Sequence, residues 1–273
     1  MRVRFPLPAQ RILFMFPILI NLPFFQLKSL AVLSLLALFF AAFIFWRKGR
    51  EEHYSTFEIF DVFLLSALFG FIFGRLAFVL FHLPQFGNNV WSIFNIVERS
   101  GNEPLLALAA AAWYIYRHAV KNKWDAFEIL DFYVTSLSLG MVFIYLGFFL
   151  DGSYSGTFTN LPWGVVLNNT FEKVHPVQIY FAIFYLALFI YLNRMEYVYR
   201  TLEWYRKGKK TAQSGFLFSN FLIFTGLFYV LTGPFRLPSM MIGSFNVDYL
   251  AYLFIAILGG VILFLRSGRG FRK

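Results

Sequence analysis

Residues 27–46 read LKSLAVLSLLALFFAAFIFW, a run of twenty with one charged side chain, Lys28. A run of that length crosses the roughly 30 Å hydrocarbon core of a bilayer as a helix. Six further apolar stretches follow, at about 58–82, 104–117, 126–150, 176–194, 214–235 and 247–265. The third, LLALAAAAWYIY, is short and alanine-rich, which suits a helix packed against other helices rather than lipid. With 59% hydrophobic and 14% charged residues, the chain lies far from the balance of a soluble domain. The expectation is an all-α polytopic membrane protein with about seven transmembrane helices, built as a single integral membrane domain over 1–273.

The net charge of +10 reads as orientation rather than nucleic-acid binding, because Lys and Arg collect on the cytoplasmic side of a membrane chain. The loops after the first, third and fifth stretches, with the tail, carry most of the basic residues. These are Arg47, Lys48 and Arg50; Arg117, Lys121 and Lys123; six between Arg194 and Lys210; and Arg266, Arg269, Arg272 and Lys273. The intervening loops hold Arg99 and Lys173, with Arg236 at a helix end. This asymmetry places the C-terminus in the cytoplasm, the N-terminus outside, and the 151–175 loop region on the outward side. The N-terminal 1–26 carries prolines at 6, 8, 17 and 23 and lacks a small-residue cleavage site, so it reads as a retained interfacial segment.

Two stretches echo each other at an offset of 70 residues. FEIFDVFLLSALFGFIFGRLAFVLF (57–81) and FEILDFYVTSLSLGMVFIYLGFFLD (127–151) share Phe-Glu-Ile-x-Asp and a glycine, at 70 and 140. Parallel repeats of this kind occur around the central sites of transporters, so a small membrane transporter is one functional reading. The second copy, however, offers Thr135, Ser136 and Ser138 midway but no charge.

Polar chemistry gathers in LDGSYSGTFTNLPWGVVLNNTFEKVHPVQIYF (150–181). LPWGVV reads as a turn followed by a short strand, and Pro176 suits the first turn of a helix. His175 and Gln178, three apart, then face one way, and a neutral imidazole there takes a proton from a thiol or orients a phosphate. Capping is the alternative role for this histidine. Asp151, Gly152 and Gly156 form a glycine-hinged turn, either a plain tight loop or a set of backbone amides lining an anion site. Arg75, inside a span and beside Gly70 and Gly74, is a functional candidate because intramembrane charge is costly; an outward-snorkelling anchor is its alternative. Arg236 follows Gly233 and Pro234, which disturb the helix and free carbonyls. Two arginines at one level suit a lipid phosphate. The chain has no cysteine, so any thiol belongs to a substrate.

The order GRLAFVLFH, DGSYSGTFTNLPWGVV, HPVQIY, PFRLP on seven spans resembles the prolipoprotein diacylglyceryl transferase family over most of 20–265. That resemblance implies transfer of diacylglyceryl from phosphatidylglycerol to the lipobox cysteine of a preprolipoprotein in the bacterial inner membrane. Glycerol phosphate leaves and a thioether forms. Phosphatidylglycerol, preprolipoprotein signal peptides and membrane lipids are the implied partners, with no cofactor, metal or nucleic acid. The family signature G-R-x-G-N-F-x-N-G-E-x-x-G falls on 144–156, where Gly147, Phe149, Gly152 and Gly156 match. Tyr145, Phe148, Asp151 and Ser153 stand where that signature has arginine, asparagine, asparagine and glutamate. Asn102 or Glu103 meets an expected histidine, Leu30 an expected tyrosine, and Tyr229 and Gly233 an expected arginine and glutamate. Arg236 keeps the family's second arginine.

The implied site therefore has His175 as catalytic candidate and Arg75, Arg236, Gly152 and Gly156 at the phospholipid. Gln178, Tyr180, Asp151, Ser153, Asn102 and Glu103 line the cavity. A non-catalytic relative that binds phospholipid or lipoprotein signal segments is the second reading. The charge pattern yields a direct topology test. A cysteine replacing Asn169 should react with an impermeant thiol reagent from outside the cell, whereas one replacing Lys209 should stay protected until the membrane is opened. The reverse labelling would overturn the orientation.

Overall fold

The structure, a computed structural model, describes residues 15–86, 101–166, 172–200, 213–238, 241–242 and 245–267. Residues 1–14, Asn169 and Lys209 lie outside these, as does most of the last basic loop. Seven long helices occupy the described chain: α1 (Ser29–Glu51), α2 (Thr56–Phe81), α3 (Pro104–Lys121), α4 (Ala126–Asp151), α5 (Val177–Arg200), α6 (Phe216–Leu231) and α7 (Val247–Arg266). Each falls on one of the seven apolar stretches. Five of them, all but α3 and α6, are long and apolar enough to cross a membrane. Strands are few and short: β1 (Ile18–Leu22) pairs with β2 (Phe25–Lys28), β3 (Val165–Val166) with β4 (Lys173–Val174), and β5 (Met241–Ile242) with β6 (Phe245–Asn246). The N-terminal segment thus includes an antiparallel hairpin that apolar periodicity gave no sign of.

Two compact units are distinguished, Met1–Ala41 with Leu137–Lys273, and Ala42–Ser136. Within the second, α2 buries a stripe of Ile59, Val62, Ser66, Gly70 and Gly74 at helical spacing. Its other face exposes Leu64, Leu68, Phe71, Leu76 and Leu80. Ser66, Gly70 and Gly74 on the packed face, with large apolar side chains outside, suit a helix solvated by lipid, where close backbone approach replaces the hydrophobic drive. Within the first unit, α6 and α7 show the same economy reciprocally. A Cβ on Gly226 would sit 2.6 Å from the Tyr252 carbonyl oxygen, and one on Gly259 2.8 Å from that of Ser219.

The 70-residue echo is structural. The turn after α1 closes with Glu52 N–H to Lys48 O, His53 to Arg50 and Tyr54 to Gly49. The turn after α3 repeats it as Asn122 to His118, Lys123 to Val120 and Trp124 to Ala119. His53 and Lys123 both take left-handed backbone, φ 64° and 59°. Gly70 packs against the Ala107 carbonyl and Ala111, while Gly140 packs against the equivalent Ala37 carbonyl and Ala41. The echo therefore extends one helix further back than the matching residues, and its glycines serve helix packing. Tyr54 donates to Glu128 Oε2 at 2.5 Å. Burial, and then that carboxylate, raise the phenol above its ordinary value of 10, so it stays a donor.

Between α4 and α5 the first unit builds a small three-stranded arrangement from distant segments. Gly156 N–H donates to His175 O, His175 N–H to Thr157 O, and Thr159 N–H to Lys173 O. On the other edge Thr157 N–H donates to Phe235 O, and Gly156 bridges Arg236. Residues 156–159 are thus the middle strand. LPWGVV forms the expected turn and β3, which adds a further short strand on the outer edge of β4. Glycine is required at 156, because a Cβ there would lie 2.6 Å from both the His175 and the Phe235 carbonyl oxygens.

Those carbonyls are fixed by hydrogen bonds and cannot give way. Gly156→Ala should therefore lower stability by about 1–3 kcal/mol, the usual range for overpacking. A Cβ on Gly260 meets nothing within 4 Å, so Gly260→Ala in α7 should leave stability unchanged or slightly raised. Thermal midpoints of the detergent-purified proteins check this; equal midpoints for both variants would remove the steric argument.

Candidate functional site

Arg236 is the residue around which the first unit's polar groups converge. Helix α6 ends at Leu231, Thr232 caps its own turn by donating to Phe228 O at 2.7 Å, and Gly233–Phe235 form one 3-10 turn. Pro234 brings no N–H, so carbonyls near the helix end are left for other donors. The sequence expectation holds here. Tyr229 O accepts from Arg236 Nη2 at 3.2 Å, and Pro234 O from the Thr157 hydroxyl at 3.2 Å. The guanidinium folds back over aromatic rings, with Cζ 4.8 Å from the Tyr229 centroid, 5.4 Å from Tyr252 and 5.7 Å from Phe181. Nη1 donates to the Tyr154 hydroxyl at 3.2 Å.

Arg236 is only 7% exposed and forms no ion pair among the described residues. The aromatic faces offset part of the cost of desolvating the cation, but π faces and neutral oxygens do not neutralise it. A buried cation with no carboxylate among the described residues is costly to keep. Snorkelling to the surface is not its role.

The rings form a second layer. The hydroxyls of Tyr145 and Tyr229 hydrogen-bond each other at 2.5 Å. Tyr145 stacks on Phe181 at 4.8 Å and Tyr229 on Tyr252 at 4.0 Å. Tyr145 and Tyr229 are two positions where the resemblance expects arginine. In the structure the two positions are side by side: neutral phenols occupy both, and the Tyr229 hydroxyl bonds Tyr185 as well as Tyr145.

The turn after α4 is a Schellman close. Gly152, at φ 76°, donates to Phe149 O and Ser153 to Phe148 O. The amides of Gly152, Ser153 and Gly156 are thus engaged with the protein's own carbonyls. This corrects the idea that Gly152 and Gly156 present backbone amides to an anion: Gly152 supplies the left-handed turn and Gly156 the close strand contact. Tyr154 follows at φ 59°, a conformation unfavourable for a side-chain-bearing residue, and its phenol reaches Arg236. Gln178, 0% exposed, holds this turn by donating from Nε2 to the Ser153 carbonyl at 2.7 Å. Asp151 ends α4, half-buried.

His175 lies across the middle strand from Arg236, two interstrand spacings or about 10 Å away along the backbone. It is 7% exposed, and its ring packs 4.8 Å from that of Phe235. Its Nδ1 lies 3.4 Å from the Tyr180 hydroxyl, which also accepts from Trp163 Nε1 at 2.9 Å. Helix α5 begins at Val177, so Pro176 sits just before its first turn rather than in it. His175 and Gln178 face different partners, Tyr180 and Ser153, and share one short stretch rather than one helix face. Sequence reasoning missed Tyr154, Trp163, Phe181 and Tyr252. Single aromatics in a chain with 22% of them carry no signal.

Arg75, Asn102 and Glu103 belong to the other unit. Arg75 is 6% exposed and donates from Nη1 to Gly101 O at 2.9 Å, with its guanidinium over Phe78 and Phe86. Asn102 Nδ2 donates to Phe71 O at 3.2 Å, and Glu103 N–H to Gly74 O at 3.0 Å. The three residues fasten the approach to α3 onto α2. Snorkelling is excluded for Arg75 as well. No cluster of three or more His, Asp or Glu able to hold a metal occurs among the described residues.

Residues 17–265 match the prolipoprotein diacylglyceryl transferase family. The chain is 26% identical over 265 residues to the phosphatidylglycerol–prolipoprotein diacylglyceryl transferase of Clostridium tetani, covering 94% of this chain and 99% of that one. It is 25% identical to the enzyme of that name from Finegoldia magna, over 79% and 81% of the two chains. It is 28% identical to that of Legionella pneumophila strain Paris, over 73% and 74%. With nearly the whole helical frame inside the matched region, this multi-pass membrane chain belongs to the prolipoprotein diacylglyceryl transferase family.

Proposed function

We propose that this protein transfers diacylglyceryl from phosphatidylglycerol to the cysteine thiol of a prolipoprotein. The observation that carries the proposal is the buried guanidinium of Arg236, with no carboxylate partner among the described residues, on one edge of the middle strand that His175 flanks on the other. The relatives' names supply the two substrates. In the reaction the thiol sulfur attacks the glyceryl carbon bonded to phosphate oxygen. The carbon–oxygen bond breaks, its electron pair leaves with glycerol phosphate, and a thioether forms. Charge grows on the departing phosphate, and Arg236 meets it with a cation already fixed by its aromatic cage. In the tautomer with its hydrogen on Nδ1, facing the Tyr180 hydroxyl, His175 keeps Nε2 for the thiol proton, which matters because the thiolate is the competent nucleophile. Arg75, in the other unit, is a separate phospholipid-binding candidate. The protein works in a bacterial plasma membrane, with signal peptides and lipids entering from the bilayer. Its N-terminus and the 151–175 region lie outside and its C-terminus in the cytoplasm, as the loop charges indicate.

One observation favours a binding-only relative: the Tyr145–Tyr229 pair stands where the family resemblance expects two cations. Turnover of phosphatidylglycerol with a lipobox peptide separates the readings. Weak thioether formation is expected from the purified chain, and phospholipid retention without product at any pH would leave only the binding role. Arg236→Ala should cut kcat about 10²–10³-fold, the range for losing one charge-stabilising donor. Arg236→Lys should not restore it, since an ammonium neither spans Tyr154 and Tyr229 nor presents a planar fork.

The pH profile tests His175. A substrate thiol with a reference value of about 8.5 ionises unaided as pH rises past it. The deficit of His175→Ala should therefore be largest near pH 6–7 and shrink above about pH 9. A deficit constant across that range would exclude a proton-accepting role.

A further inference from the structure

Of the four buried polar atoms of the first unit that have no hydrogen-bond partner among the described residues, one is Thr225 Oγ1 within α6; the other three are Arg236 Nε, Gln178 Oε1 and Ser153 Oγ. They belong to one connected patch. Gln178 Nε2 holds the Ser153 carbonyl at 2.7 Å, and the next residue, Tyr154, accepts from Arg236 Nη1 at 3.2 Å. Gln178 and Arg236 are both more than nine-tenths buried, so the cost of leaving these atoms unsatisfied is substantial. Their chemistry is not uniform. Arg236 Nε carries a hydrogen and only donates. Gln178 presents its carbonyl oxygen, because its amide nitrogen is already committed to Ser153, and that oxygen only accepts. The Ser153 hydroxyl does either.

A bare phosphate satisfies the first atom and repels the second. A ligand that satisfies all three must bring an anionic acceptor and, close to it, at least one hydroxyl able to donate. We propose that this patch reads the headgroup of the lipid: the phosphodiester lies on Arg236 Nε, and free headgroup hydroxyls donate to Gln178 Oε1 and bond Ser153 Oγ. Gln178 and Ser153 are then the specificity residues for a polyol phosphodiester over one with an alkyl headgroup. The proposal rests on the transferase reading only in taking the lipid phosphate as the occupant of Arg236. It assigns Ser153, which stands where the family signature has a glutamate, a function of its own.

The test compares phosphatidylglycerol with phosphatidylethanol, which has the same phosphodiester charge and no headgroup hydroxyl. Binding of each to the full-length, detergent-purified chain is measured by titration of lipid in mixed micelles. Two hydrogen bonds of ordinary strength predict about tenfold tighter binding of phosphatidylglycerol. Ser153→Ala should weaken phosphatidylglycerol about threefold to tenfold and leave phosphatidylethanol unchanged. Ser153 uses its backbone carbonyl, not its hydroxyl, to hold Gln178, so this variant keeps the turn. Gln178→Met, whose thermal midpoint reports whether the turn survives, should likewise narrow the gap between the two lipids. Equal affinity of the unaltered protein for both lipids overturns the proposal, as does a Ser153→Ala loss that is the same for both. Headgroup selectivity without any thioether product would sink the transferase reading and leave this one standing. Product formed at equal kcat/KM from both lipids would do the opposite.

Discussion

A guanidinium kept out of water without a carboxylate organises the first unit. Desolvating such a charge costs several kcal/mol, and the chain offsets this with three ring faces, a carbonyl and a phenol rather than an acid. An ion pair would have been more stabilising to the empty protein and would have competed with any arriving anion. Cation–π contacts and neutral acceptors hold the side chain in place while leaving its charge uncancelled. The broken end of α6 follows from the same requirement, since Gly233 and Pro234 turn the chain so that Arg236 can reach back to Tyr229 O.

The Tyr145–Tyr229 pair extends that logic. Two extra cations beside Arg236 would repel one another in a low-dielectric site unless anions separated them. Two phenols need no such balance: their hydroxyls share one hydrogen bond while the rings stack on Phe181 and Tyr252. The substitutions make sense only as a pair, because one phenol facing an arginine would leave the cluster with a second buried charge. What is lost is electrostatic strength toward a departing phosphate; what is kept is a packed wall behind Arg236.

The helices were legible in the sequence because lipid imposes a simple rule: every backbone group must be satisfied within the segment, so apolar length alone marks the element. Even the repeat was legible from Phe-Glu-Ile-x-Asp and a glycine, though its reach into α1 and α3 rests on backbone bonds that few shared side chains announce. The site was legible in part. His175 and Arg236 stood out as polar residues at the ends of apolar runs, and LPWGVV as a turn and strand. The pairing of 156–159 with 173–175 on one edge and 235–236 on the other was not legible, since the second edge joins distant segments and neither shows an alternating pattern. Nor was the Tyr145–Tyr229 bond, because position by position each tyrosine reads as a missing arginine.

That hidden strand pairing explains how a family frame survives so much side-chain change. The spacing between His175 and Arg236 is set by main-chain hydrogen bonds through Gly156 and Thr157, and those bonds are indifferent to what the neighbouring side chains are. A glycine at 156 is demanded by two carbonyl oxygens and one at 152 by a left-handed φ. Both are among the four signature residues that remain. Two of the positions that depart from the signature, Tyr145 and Phe148, now belong to the ring cluster. Backbone geometry therefore constrains the matching positions, and chemistry alone constrained the others. A chain can then exchange charged groups for phenols and hydroxyls while main-chain bonds keep its histidine and arginine in place.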